Sequence, residues 1–197
     1  MPASAPQIVG ILLAAGRGER FGGDKLLTRL PDGERVGAAA ARQLLAAVPH
    51  SVAVVRSGDA ALAAALGAAG ARIVRCANAG DGMGASLACA VHSTPNATGW
   101  IVALADMPWI RPETIARVAG AIAGGAVVAA PFFGGERGHP VGFAASCFAD
   151  LAALTGDEGA KAIVAAHRDR IARVDVDDPG ILRDIDTPGD LNRGQTA

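Results

Sequence analysis

The chain has 197 residues, 51% of them hydrophobic, and a formal net charge of −1; that is enough to bury one good core, and it leaves no general basic surface for a nucleic-acid backbone. It carries no apolar run of about 18 residues, and residues 1–7 lack a basic stretch followed by an apolar one, so the reading is a cytoplasmic protein with neither membrane nor nucleic acid among its partners. Cys76, Cys89 and Cys147 are far apart in sequence and without metal-ligand spacing, which fits reduced thiols with no assigned chemistry.

In chain order, short β-rich apolar runs alternate with alanine-rich segments of helical length. Strands are predicted at Ile8–Ala14, Ser51–Val55, Arg72–Val74, Trp100–Leu104, Ala126–Ala130 and Ile171–Val174. Helices are predicted at Gly37–Ala47, Ala60–Ala69, Ala85–His92, Pro112–Ala123, Ser146–Leu154 and Ala160–Arg168. Phe132–Phe143 breaks the alternation with glycines, His139 and Pro140, and reads as an irregular hairpin or loop. The pattern is that of βα units on a mostly parallel sheet: an α/β, Rossmann-like three-layer sandwich in a single domain, with its core at about 8–193 and flexible termini at 1–7 and 194–197.

Residues 13–25, Leu-Ala-Ala-Gly-Arg-Gly-Glu-Arg-Phe-Gly-Gly-Asp-Lys, follow the first strand. Gly16, Gly18, Gly22 and Gly23 permit positive φ and close backbone approach, so main-chain N–H groups can face phosphate oxygens. Arg17, Arg20 and Lys25 add cations to that anion site. A dinucleotide fingerprint is disfavoured, because Phe21 stands where its third glycine belongs and Asp59 comes too late. A Walker loop is excluded by the missing Gly-Lys-Ser/Thr ending.

Ligands of open α/β sheets sit beyond the carboxyl ends of the strands. Asp106 follows the apolar run Trp100–Leu104 and projects a carboxylate there, a position suited to Mg²⁺, which takes one or two carboxylates plus phosphate oxygens and water. Its other reading, a cap for the helix near Pro112, is awkward at that distance. Alternation predicts Asp184 and Asp186 on one side of a short strand, either one a second metal ligand; Thr187 and Pro188 equally make a helix start. Gly82–Ser86 either brings backbone and the Ser86 hydroxyl to a ligand or is an ordinary helix start capped by Asp81 or Ser86. Asp157 and Lys161 read as capping and pairing groups, and His50, His92 and His167 as surface or packing residues.

The basic loop resembles the signature of nucleotidyltransferases related to molybdenum cofactor guanylyltransferase, and the whole chain is most similar to their molybdenum cofactor cytidylyltransferase branch. The further landmarks occur in order: Gly82-Met83-Gly84-Ala85-Ser86-Leu87, Leu104-Ala105-Asp106-Met107-Pro108, Gly134-Gly135-Glu136-Arg137-Gly138-His139-Pro140, Gly156-Asp157-Glu158-Gly159-Ala160 and Asp184-Ile185-Asp186-Thr187-Pro188. The resemblance implies a nucleotide-diphospho-sugar transferase type of fold and a Mg²⁺-dependent transfer of CMP from CTP to a molybdopterin-type cofactor. It implies nucleotide contacts at Leu13, Ala14, Ala15, Gly16, Arg17, Gly18, Arg20, Lys25, Gly84, Ser86 and Asp106, with Arg20, Lys25 and Asp106 catalytic. It places the metal on Asp106 and Asp186, and the acceptor, as phosphate or pterin, at Arg137 and His139.

It also associates Leu-Ala-Ala-Gly with cytidine and Leu-Ala-Gly-Gly with guanosine nucleotides; Ala15 stands at the deciding position, where a methyl group narrows the base pocket. A client molybdoenzyme or its maturation chaperone is the implied protein partner. The chain departs from the pattern at Gly33-Glu34-Arg35-Val36-Gly37, where relatives have a Gly-Lys-Pro-Leu-like turn, which leaves any role of Arg35 open. The rival readings are a GTP-dependent guanylyltransferase, a transferase for another phosphorylated acceptor, a carrier that binds without turnover and an NAD-dependent oxidoreductase.

Overall fold

The computed structural model describes residues 7–16 and 21–195. Its strands are β1 (Ile8–Leu13), β2 (Ser51–Arg56), β3 (Arg72–Cys76), β4 (Gly99–Leu104), β5 (Val128–Phe133), β6 (Glu136–Arg137), β7 (Val141–Ala144) and β8 (Ala172–Asp175). Its α-helices are α1 (Val36–Ala47), α2 (Ala60–Ala68), α3 (Met83–His92), α4 (Pro112–Ala123), α5 (Phe148–Ala152) and α6 (Lys161–Ala166).

All strands join one sheet in the order β3-β2-β1-β4-β7-β5-β6, with β8 paired to β5. The first four strands are mutually parallel. Beyond β4 the sheet changes character: β7 runs antiparallel to both β4 and β5, and β6 folds back antiparallel on the end of β5. The stretch expected to be an irregular hairpin is therefore where the sheet reverses direction.

Side chains alternate along each strand, and here both faces are covered. Leu12 on β1 and Ile101 and Ala103 on β4 point into one core with Leu44 of α1, Leu66 of α2 and Val118 of α4. Val9, Ile11 and Leu13 of β1 and Trp100 and Val102 of β4 point into the other, with Leu87 and Val91 of α3, Leu151 of α5 and Val164 of α6. Fully burying such a side chain contributes roughly 1.5–3 kcal/mol, so these two layers carry most of the stability. The three-layer sandwich follows from continuous apolar strands that have no face left for water.

Several boundaries differ from expectation. Helix α3 starts at Met83 rather than Ala85, α5 is confined to Phe148–Ala152 behind a 3₁₀ turn at Ala145–Cys147, and α6 stops at Ala166. No strand forms around Asp184–Asp186; Ile185 is fully buried and anchors an extended loop that its polar neighbours leave without a strand partner. The cysteines also differ from their sequence spacing: Cys89 lies beside Cys76, and burial together with that neighbour pushes the Cys89 thiol up to about 11. Among the described residues no helix is long and apolar enough to cross a membrane.

Candidate active site

Three connections converge at the carboxyl ends of β1 and β4. The first is the turn after β4. Ala105 donates its N–H to Leu13 O at 3.1 Å and Met107 to Leu104 O at 3.2 Å, so the chain turns sharply and leaves Asp106 at the sheet edge. The second is the 3₁₀ turn Lys25–Leu27, where Lys25 N–H bonds to Gly23 O at 2.8 Å. The third is the segment before the C-terminal 3₁₀ stretch Pro188–Gln195, where Ile185 N–H bonds to Asp106 O at 3.0 Å.

A small apolar cluster holds these connections together. Leu30, Val36, Ala39 and Ile185 are buried in it, with Phe21, Leu26, Trp109 and Leu191 packed against them. Asp178 secures the same region from the other side: 2% exposed, it accepts from Arg111 N–H at 2.9 Å and from the Thr114 hydroxyl at 2.7 Å. The start of α4 is thus capped by a carboxylate from a distant segment, where negative charge suits a helix N-terminus. Asp106 takes no part in that capping. Asp190 holds the loop after Ile185 by accepting from the N–H groups of Asp186, at 3.1 Å, and Thr187, at 2.7 Å.

The result is a compact cluster of charges. Lys25 Nζ lies 2.8 Å from Asp106 Oδ2 and 3.4 Å from Asp186 Oδ1, with the lysine side chain 11% exposed. Two carboxylates from segments 80 residues apart therefore share one ammonium. Among the described residues no group of three or more His, Cys, Asp or Glu could hold a metal ion. The two hard oxygen donors at this point fit a magnesium- or manganese-type ion, which would complete its shell with phosphate oxygens and water.

Beside the cluster opens a cleft of about 530 Å³, bounded by Leu13, Ala15, Gly16, Lys25, Asp106 and the start of α3. Gly82, Met83 and Ser86 line it, whereas Gly84 does not. Gly82 caps α3 with φ +117°, and a Cβ there would stand 2.4 Å from the Gly156 carbonyl, so only glycine fits. Gly84 donates its N–H to Gly156 O at 2.8 Å and is spent on the same packing. Neither Asp81 nor Ser86 caps α3 through its side chain; the Ser86 hydroxyl donates back to Gly82 O at 3.2 Å. Ala14 is buried in the core with α1 and α2 and does not line the cleft.

Arg17, Gly18 and Arg20 lie outside the described residues. Of the loop glycines that are described, Gly22 alone takes positive φ, at 74°; Gly16 and Gly23 do not. Arg35 is exposed at the N-terminal boundary of α1, away from the cleft.

Sequence reasoning missed Arg56, Asp59 and Asp157, all of which line the cleft. Arg56 closes β2 and donates from Nε to Ala15 O at 2.8 Å, fixing the backbone of the residue that the sequence marked as deciding the base. The strand-end rule would have found it, since it follows directly on the run Ser51–Val55. Asp157, which the sequence offered as a capping group, belongs to the turn that packs on Gly82, a tertiary contact.

Arg137 and His139 do not line this cleft. Arg137 is exposed on β6. His139 follows it, its N–H donating to Ile181 O at 3.0 Å and its Nδ1 buried without a hydrogen-bond partner among the described residues. Burial pulls the imidazole down to about 4; Arg137 adds to the shift and Asp106 opposes it. His139 is therefore neutral at physiological pH.

A cleft and a lysine-bridged pair of carboxylates at the carboxyl ends of the strands of an α/β sheet suit a phosphate-bearing ligand. Residues 10–171 match the MobA-like NTP transferase domain, and the chain belongs to that family. It is similar to the purine catabolism protein PucB of Bacillus subtilis, 29% identical with 98% of each chain covered. It is also similar to the structure of Rv0371c from Mycobacterium tuberculosis, with 29% identity, TM-score 0.81 and coverage of 96% of this chain and 98% of that one. A complex of Rv0371c with manganese matches at 27% identity and TM-score 0.77, covering 97% of this chain and 100% of that one. A nucleotidyl transferase from Methanothermobacter matches at 25% identity and TM-score 0.81, covering 95% of both. More distant structures at 14–17% identity and TM-scores of 0.72–0.73 share the architecture alone, that of the nucleotide-diphospho-sugar transferases.

Proposed function

We propose that this nucleotidyltransferase-family enzyme is a Mg²⁺-dependent cytidylyltransferase that moves CMP from CTP to the terminal phosphate of a molybdopterin-type cofactor and releases pyrophosphate. The observation that carries the transfer chemistry is the meeting of Asp106, Asp186 and Lys25 beside the cleft. The donor occupies the cleft, its base against Ala15 and α3 and its phosphates running toward Lys25. Main-chain N–H groups of the loop, with Arg17, Arg20 and Lys25, hold the leaving phosphates. A divalent cation on Asp106 and Asp186 would supply charge neutralisation at the α-phosphate. Manganese in Rv0371c supports the choice of such an ion.

The base assignment rests on the Ala15 methyl group and on Arg56, which holds the Ala15 carbonyl and keeps the pocket wall in place. The acceptor assignment rests on the resemblance in the sequence and on the position of His139. A neutral imidazole is a poor phosphate binder but a good single donor or acceptor for an uncharged polar group. His139 therefore takes the pterin, and Arg137 the phosphate. No general base is required, because an acceptor phosphate is already ionised near neutral pH.

The test is pyrophosphate release from CTP, GTP, ATP and UTP with Mg²⁺ and molybdenum-loaded pterin. Release selective for CTP and lost in Asp106→Ala is the expected result. Release selective for GTP would make the enzyme a guanylyltransferase, and nucleotide binding without release from any triphosphate would favour the carrier.

A further inference from the structure

Lys25 stands where two functions meet. Its backbone turn lines the donor cleft, yet its ammonium is directed onto both carboxylates, 2.8 Å from Asp106 and 3.4 Å from Asp186. A magnesium-type ion binds carboxylate oxygen at about 2.0–2.1 Å. An ion held by the same two oxygens would leave the ammonium within contact distance of a doubly charged cation. The repulsion is severe at that separation, so the two do not share the position.

We propose that the Lys25 ammonium occupies the ion's place in the nucleotide-free site and gives it up to the divalent ion when the triphosphate arrives. The inference rests on the functional reading above. The ammonium offsets part of the charge of the two carboxylates, so it competes directly with an incoming ion before it is a phosphate contact.

The side chain can make the exchange without a change of fold. Lysine carries its charge on a flexible four-carbon stem, and the turn from which it projects already borders the cleft. A triphosphate in the cleft offers the ammonium a more highly charged partner than the carboxylates do, and drawing it away opens its place beside them to the ion. By linkage, whatever nucleotide does to metal affinity, metal does to nucleotide affinity. Metal alone must compete with an intramolecular ammonium. The site therefore loads poorly without nucleotide, which limits idle cation binding.

The direct test is Mn²⁺ affinity of the nucleotide-free protein, followed by electron paramagnetic resonance. If Lys25 is the placeholder, Lys25→Met binds Mn²⁺ at least tenfold more tightly than wild type, although it binds CTP more weakly. Lys25→Arg keeps the positive charge and stays as weak as wild type for Mn²⁺. A lysine that served the triphosphate alone would leave nucleotide-free Mn²⁺ affinity unchanged in Lys25→Met, and that result overturns the proposal while leaving the functional reading intact. Failure of both wild type and Lys25→Met to bind Mn²⁺, with CTP present as well as absent, removes the metal site and the proposal with it.

A measurement on unaltered protein guards against a variant that does not fold. Titrating Mg²⁺ to saturation into ¹⁵N-lysine-labelled wild type displaces the Lys25 ammonium signal from its carboxylate-bound position. A Lys25 signal that stays put while Mg²⁺ binds contradicts the exchange.

Discussion

The proposed donor and acceptor sides of the site are built on opposite principles. On the donor side, parallel strands β1 and β2 end in one crevice with the start of α3, and most of the cleft comes from short contiguous stretches. On the acceptor side, His139 lies between antiparallel β6 and β7, and the 179–185 segment links it to Asp106 through His139 N–H to Ile181 O and Ile185 N–H to Asp106 O. The donor half is a local motif on a rigid sheet, and the acceptor half is a tertiary assembly.

Substitutions separate the two sides. The largest effect is expected at the shared carboxylate. Asp106→Ala should lower kcat by on the order of a thousandfold, the loss typical of removing a transition-state charge contact, and should do so for every acceptor; the check is steady-state pyrophosphate release. Gly82→Ala comes next and touches the donor side alone. Its Cβ would meet the Gly156 carbonyl at 2.4 Å with φ at +117°, so a loss of roughly 2–3 kcal/mol in thermal or urea unfolding is expected, together with weaker CTP binding.

Arg56→Ala releases the Ala15 carbonyl. The loss of one charge-assisted hydrogen bond is worth roughly 1.5–3 kcal/mol, so KM for CTP should rise by about tenfold or more while KM for the acceptor stays constant. An equal rise in both would erase the distinction between the two sides.

His139→Gln is the mildest and reads the acceptor side. The folded imidazole titrates near 4 against an ordinary value of 6.5. As pH falls through 6.5 the unfolded chain takes up a proton that the folded protein refuses, so stability is lost between about pH 6.5 and 4 and levels off below. Burial sets most of this shift; Arg137 strengthens it and Asp106 opposes it. The wild-type stability relative to His139→Gln should decline over that window by up to about 3 kcal/mol, measured by urea unfolding at several pH values. The variant should also raise KM for the acceptor several-fold and leave KM for CTP unchanged.

The same contrast explains what could be read in advance. Strands β1, β2 and β4 were legible to within a residue or so because both faces are buried, leaving continuous apolar runs with sharp ends. Helix α4 was legible at both ends because Pro112 opens it and Gly124 and Gly125 close it. Helix α3 was misplaced by two residues because Gly82 is tied to Gly156, a partner that local sequence cannot name. A strand for Asp184–Asp186 was inferred from alternation alone, yet Ile185 is held by the Leu30 and Val36 cluster and by Asp106 O rather than by a sheet neighbour. Arg56 escaped notice for a different reason: it is not part of any short motif, and its importance comes from reaching across to β1.

Cytidylyl transfer at the lysine-bridged carboxylates is tested by following the transferred group itself. CTP labelled at its α-phosphate is incubated with Mg²⁺, molybdenum-loaded pterin and either wild type or Asp106→Ala, and the products are separated. The account expects label on the pterin cofactor with wild type, none with Asp106→Ala, and far less from equally labelled GTP. Label that remains in CTP while the cofactor is bound, or that reaches the acceptor equally well in Asp106→Ala, would contradict it.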